Sequence, residues 1–96
     1  MSSGNIKRKR VVVSGRVQGV CFRYYTQEMA RQLGIAGWVR NLYSRQVEAV
    51  LEGREPDLTR MIDWMRQGPS MAHVNDITIA EEPCNEGELL DFTIRF

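Results

Sequence analysis

Ninety-six residues, 43% apolar and 26% charged, make a chain of ordinary globular composition with room for one core, so a single domain over 1–96 is expected. Thirteen basic against twelve acidic residues leave a net charge of +1, too little for the electrostatic footprint of a nucleic-acid duplex binder or an anionic membrane surface. No apolar run exceeds three residues, which excludes a membrane-spanning helix and the core of a signal peptide.

Residues 1–6 read as a loose N-terminal tail. The basic run Lys7-Arg8-Lys9-Arg10 has no interleaved aromatic residue, so it reads as solvated charge flanking a sheet edge rather than a nucleic-acid patch. Arg8 to Ser14, centred on Val11-Val12-Val13, is expected to be a central strand buried on both faces. Two glycines, Gly15 and Gly19, then break it. Phe22, Tyr25, Met29 and Leu33 recur at helical spacing, predicting an amphipathic helix from Phe22 to Leu33 that Gly34 stops.

Ile35 to Leu42 reads as a second strand. In a third, Val47, Ala49 and Leu51 alternate with Glu48, Val50 and Glu52, and the short Tyr43-Ser44-Arg45-Gln46 segment between the two predicts a hairpin. A second helix starts near Pro56, with Glu55 and Asp57 suited to its positive end. Its buried stripe is Leu58, Met61, Ile62 and Met65, and Gly68-Pro69 ends it. Ile77 and Ile79 mark a fourth strand, with His73 in the loop before it. After a loop with Pro83 and Gly87, Phe92, Ile94 and Phe96 mark a short fifth strand.

The order β-α-β-β-α-β plus a terminal strand is the α+β, ferredoxin-like split βαβ pattern, an antiparallel sheet with two helices on one face. That architecture serves enzymes, RNA-binding modules and metal carriers alike, so function must come from a site. Cys21 and Cys84 lie 63 positions apart with no local pairing pattern and read as free thiols. His73 is the only histidine and has no partner for a transition-metal site.

A glycine-containing loop between a strand and a helix turns its backbone N–H groups inward and adds the unpaired donors of the first helical turn. Residues 15–22 have this form, with Arg23 in the first turn of the helix. The loop lacks the Lys-Ser/Thr of a Walker motif, so nucleotide binding of that type is excluded. A split βαβ unit runs its first two strands parallel with the third between them, which places Asn41 on the same sheet edge, roughly 10 Å from the loop. On these grounds alone the loop also fits a plain turn, and Asn41 an ordinary strand-end residue.

Gly15-Arg16-Val17-Gln18-Gly19-Val20-Cys21-Phe22-Arg23 resembles the signature of the acylphosphatase family, and Gly37-Trp38-Val39-Arg40-Asn41 resembles its second signature. Val47 to Gly53, Gly68 to Val74 and Phe92 to Phe96 are similar to the family at matching spacing, so the resemblance covers roughly residues 8–96. It implies hydrolysis of small-molecule acyl phosphates without metal or cofactor by a monomeric cytoplasmic enzyme. It also implies a phosphate held by the backbone of Arg16, Val17, Gln18, Gly19, Val20, Cys21 and Phe22 together with the Arg23 side chain, and an attacking water positioned by Asn41. Neither motif contains a strong general base, so a substrate phosphate oxygen is expected to take the water's proton.

A covalent role for Cys21 is disfavoured, because cysteine phosphatases place arginine six residues after the nucleophile and here that residue is Gln27. RNA recognition on this fold would need an aromatic-rich motif on a central strand, and a metal carrier a paired-cysteine loop; both are missing. One departure from the family is the turn at 43–46, where members commonly carry glycine and this chain offers no residue suited to positive φ.

Overall fold

The structure is a computed structural model that describes residues 6–84 and 89–95. Five strands and two helices are present among them: β1 (Ile6–Arg16), α1 (Phe22–Leu33), β2 (Ala36–Asn41), β3 (Val47–Arg54), α2 (Glu55–Gln67), β4 (His73–Glu82) and β5 (Phe92–Ile94). The sheet order is β4-β1-β3-β2-β5. β3 runs antiparallel to both β1 and β2, so β1 and β2 are parallel and end on one edge, as the split βαβ reading requires. The added strand β5 pairs parallel to β2, which makes the sheet mixed rather than antiparallel. Of the expected tail, residues 1–5 lie outside the described residues, whereas Ile6 already pairs with Arg54. Gly87 and Phe96 also lie outside the described residues.

The core forms where the alternating strand residues Val11, Val13, Val39, Val47, Ala49, Leu51 and Phe92 meet Leu58, Met61, Ile62 and Met65 of α2. The stripe expected for α2 is buried in full, and Glu55 and Asp57 stand in its first turn, where their charge offsets the exposed N–H groups. Helix α1 spans the expected residues but is rotated from the expected face. It buries Phe22, Thr26 and Ala30, with Met29 and Leu33 partly buried, and leaves Tyr25 46% exposed. The small Thr26 and Ala30 let the helix lie close on the sheet. Gly34 ends it with φ 71°, and the Ile35 N–H donates to the Ala30 carbonyl at 2.8 Å, closing the last turn.

β1 is central, but its second face is not covered by helices: Val11 and Val13 are fully buried while Val12 is half-buried. The uncovered face carries ion pairs instead. Arg8 donates through Nε and Nη2 to Glu52 Oε1 at 3.0 and 2.8 Å, Arg10 bonds Glu48 and Glu82, and Arg40 Nε donates to Glu48 Oε1 at 2.8 Å. Glu48 and Glu52 are each only 6% exposed beneath these guanidinium groups. Hydrogen bonding to Glu82, and then to Glu48, raises the Arg10 pKa against the opposing effect of burial. The basic run is thus not solvated charge at an edge; Arg8 and Arg10 belong to the central strand, and Lys9 reaches Glu55 at 3.0 Å.

The β2–β3 turn resolves the missing glycine. The Arg45 N–H donates to the Leu42 carbonyl at 3.1 Å and the Leu42 N–H to the Gln46 carbonyl at 2.8 Å. This is a three-residue loop whose last residue must be left-handed, and Arg45 takes that place at φ 72°. A side chain costs about 1–2 kcal/mol there. Arg45→Gly relieves the strain but loosens the unfolded chain, for an expected net gain of about 0.5 kcal/mol and a Tm rise of about 2–4 °C in a thermal melt.

Candidate active site

At the shared edge, β1 is distorted before it ends. Its pairing with β4 shifts between Ser14 and Gly15, and Gly15 has φ 123°. A Cβ there would lie 2.2 Å from the His73 carbonyl oxygen, so only glycine lets the chain turn into the loop at this point. His73 is the first residue of β4, opposite Arg16, and not a loop residue as expected. The loop buries Val17 and leaves Gly19 and Cys21 exposed. Cys21 caps α1 in a left-handed conformation at φ 62°, without a side-chain hydrogen bond to the helix, and no acidic residue stands in the first turn. The N–H groups of that turn therefore lack the two side-chain partners that usually satisfy them, a side-chain cap and a nearby carboxylate. Among the described residues Cys21 and Arg45 are the two non-glycine residues with positive φ, and both border this edge.

Two adjoining clefts open here. One of about 400 Å³ is walled by Val17 to Gly19, by Cys21 to Tyr24, and by Asn41 and Ile94. The second, of about 810 Å³, shares Gln18, Arg23 and Asn41 and continues past Arg40 and Arg45, so its rim is cationic. The expected side chains Arg23 and Asn41 thus meet in one place, with Gly19, Cys21 and Phe22 of the loop beside them. Val20 faces a different groove, and Arg16 lines neither cleft. Arg23 is half-buried and donates through Nη1 to the Arg95 carbonyl at 3.3 Å. Asn41 lines both clefts, while its Oδ1 is closed off from solvent without a hydrogen-bond partner, an arrangement that costs stability.

Sequence reasoning missed what holds the two halves together. Gln18 Nε2 donates to the carbonyls of both Leu42 and Gln46 at 2.9 Å, tying the loop to the hairpin that follows Asn41. Gln46 in turn donates to Ser14 Oγ at 2.8 Å and accepts from the Ser44 hydroxyl at 2.6 Å. From the other side, β5 buttresses Arg23 and α1: Gln27 Nε2 donates to the Phe92 carbonyl at 3.0 Å, and the Arg95 guanidinium lies 4.5 Å from the Trp38 ring centre. The Asp91 carboxyl just before β5 is held below its usual range by the Phe92 N–H and then by Arg31. The bonds from Gln18, from Gln46 to Ser14 and from Gln27, and the stacking of Arg95 on Trp38, each join segments far apart in sequence, and no local spacing marks them. Neither Cys21 nor Cys84 is in a disulfide.

An uncapped helix start, a glycine-containing loop, an arginine and an asparagine thus share one edge of a split βαβ sheet, in an α+β protein of the ferredoxin-like type. Comparison with known proteins narrows this. The acylphosphatase family model matches residues 9–94. An acylphosphatase of Syntrophobacter fumaroxidans is 49% identical over 90 residues, covering 94% of this chain and 92% of that one. One from Syntrophus aciditrophicus is 48% identical over 91 residues, covering 95% and 94%. The crystal structure of acylphosphatase from Bacillus subtilis superimposes with a TM-score of 0.89 at 37% identity, covering 94% of this chain and 99% of that one. The chain belongs to the acylphosphatase family.

Proposed function

We propose that the protein hydrolyses acyl phosphates, converting an acyl phosphate dianion and water into a carboxylate and dihydrogen phosphate by direct attack of water on phosphorus. Family membership supports the reaction class. The observation that carries the mechanism is the convergence of the uncapped α1 terminus, Arg23 and Asn41 on one cleft. In this reading the N–H groups of residues 16–22 and the Arg23 guanidinium hold the phosphate. They meet charge on its equatorial oxygens, which is greatest in a loose phosphoryl-transfer transition state.

The Asn41 amide hydrogen-bonds the water and orients it toward phosphorus. As the new O–P bond forms, the bond from phosphorus to the acyl oxygen breaks and its electron pair leaves with the carboxylate. A water proton passes to a phosphate oxygen. A carboxylate is a good leaving group, so position and charge suffice where an ester would need a strong acid. The same reading makes the chain a one-domain, cofactor-free monomer acting in the cytoplasm on a small molecule.

The test is turnover of benzoyl phosphate, with phenyl phosphate alongside and EDTA present. Rapid loss of benzoyl phosphate, with phenyl phosphate untouched and no effect of the chelator, is expected. No turnover by folded protein would leave the cleft as an anion-binding module only. Cys21→Ser is expected to keep most of the activity, since Cys21 contributes backbone geometry; complete loss in steady-state assays would point to a thiolate nucleophile instead.

A further inference from the structure

In-line displacement at phosphorus fixes the direction in which the acyl group leaves, because the attacking and leaving oxygens lie on opposite sides of the phosphoryl group. Asn41 ends β2, while the phosphate loop ends β1. In the order β4-β1-β3-β2-β5, β2 is two places to one side of β1, and β4 is its neighbour on the other. A water held at Asn41 attacks from that residue's side of the phosphoryl group, so the acyl group departs away from Asn41.

A groove of about 250 Å³ that Asn41 does not line adjoins the cleft, formed by Gly19 to Cys21 of the loop, Tyr25 of α1 and Pro69 to Met71, which lead into β4. It shares Gly19 and Cys21 with the cleft that holds Arg23 and Asn41, and contains neither of those two side chains. Its apolar walls are open to solvent: Met71 is 66% exposed and Tyr25 46%. Tyr25 stands edge-on to Tyr24, with ring centres 5.2 Å apart, and Tyr24 lines the neighbouring cleft, so α1 carries an aromatic pair across the boundary between the two.

We propose that this groove is the acyl-group subsite, with Tyr25 and Met71 as its specificity-determining side chains, and that it selects acyl phosphates with apolar or aromatic acyl groups. The proposal rests on the hydrolytic reading above and names the part of the substrate that the phosphate machinery does not touch. An acetyl group offers such walls a single methyl, whereas a phenyl ring buries more apolar surface against them and displaces more water.

The experiment measures kcat/KM for benzoyl phosphate and acetyl phosphate in the parent protein and in Met71→Ala, Tyr25→Ala, Met71→Leu and Tyr25→Phe. Both side chains are exposed, so the melts are expected to superimpose. The benzoyl-to-acetyl ratio is expected to fall about 3- to 10-fold in each alanine variant, and to be kept in Met71→Leu and Tyr25→Phe. Dividing each variant's ratio by the parent's removes the intrinsic reactivity difference between the substrates. Equal losses on both substrates, or no loss on either, would overturn the subsite. A folded parent protein that turned over neither substrate would defeat the hydrolytic reading itself, and the subsite with it.

Discussion

Replacing Arg23 with alanine is expected to lower kcat/KM for benzoyl phosphate by a factor on the order of 10² to 10³, and to weaken inhibition by inorganic phosphate together with it. The coupling follows from the position of the guanidinium. It is half-buried at the start of α1, anchored to the Arg95 carbonyl at 3.3 Å, and faces the cleft beside the loop. A fixed fork of donors in that setting binds product phosphate and transition state through the same oxygens, more strongly in the transition state. Arg23→Lys is expected to recover only part of the loss, because an ammonium restores charge without the planar fork. Unchanged phosphate inhibition in Arg23→Ala would remove the arginine from the phosphate site.

The second large effect is expected at Asn41, with a different signature. Asn41→Ala should lower kcat by a factor on the order of 10² while phosphate inhibition stays nearly intact, since the proposed role of Asn41 is to act on water and not on phosphate. Folding is not expected to suffer. Asn41 Oδ1 is buried without a hydrogen-bond partner, so alanine removes an unsatisfied acceptor and the Tm should hold or rise. Lower kcat with undiminished stability is the mark of a group kept for chemistry. Loss of phosphate affinity equal to that in Arg23→Ala would merge the two roles into one.

How far the fold was legible depended on whether a signal was local. The buried stripe of α2 is four apolar residues on one face with nothing competing, and it packs as read. In α1 the same periodicity admitted two faces on either side of Phe22. Counting large apolar residues favoured Tyr25, whereas close packing on the sheet favoured the small Thr26 and Ala30. The basic run misled for a related reason: charge reads as solvent-facing until Glu48, Glu52, Glu55 and Glu82 are brought opposite by strand pairing and chain reversal. The parallel docking of β5 on β2 depends on a return across the sheet that short-range pattern does not encode.

The site follows the same division. The loop and Asn41 were readable because a glycine-broken strand end and a split βαβ topology together specify one edge, and the motifs fell on it. The bracing by Gln18 and by the Arg95 carbonyl was not readable, because both bonds join segments far apart in sequence. Arg45 stands between the two cases. The need for a left-handed residue in the turn was visible, and the structure meets it with an arginine at the rim of the cationic cleft.

The central claim is that water attacks phosphorus, and a single turnover in ¹⁸O-labelled water tests it most directly. With enzyme in excess over benzoyl phosphate, the label is expected in inorganic phosphate and the benzoate is expected to stay unlabelled. Label in the benzoate would mean attack at the acyl carbon, and a cleft built to hold phosphate and aim water at it would have been misread.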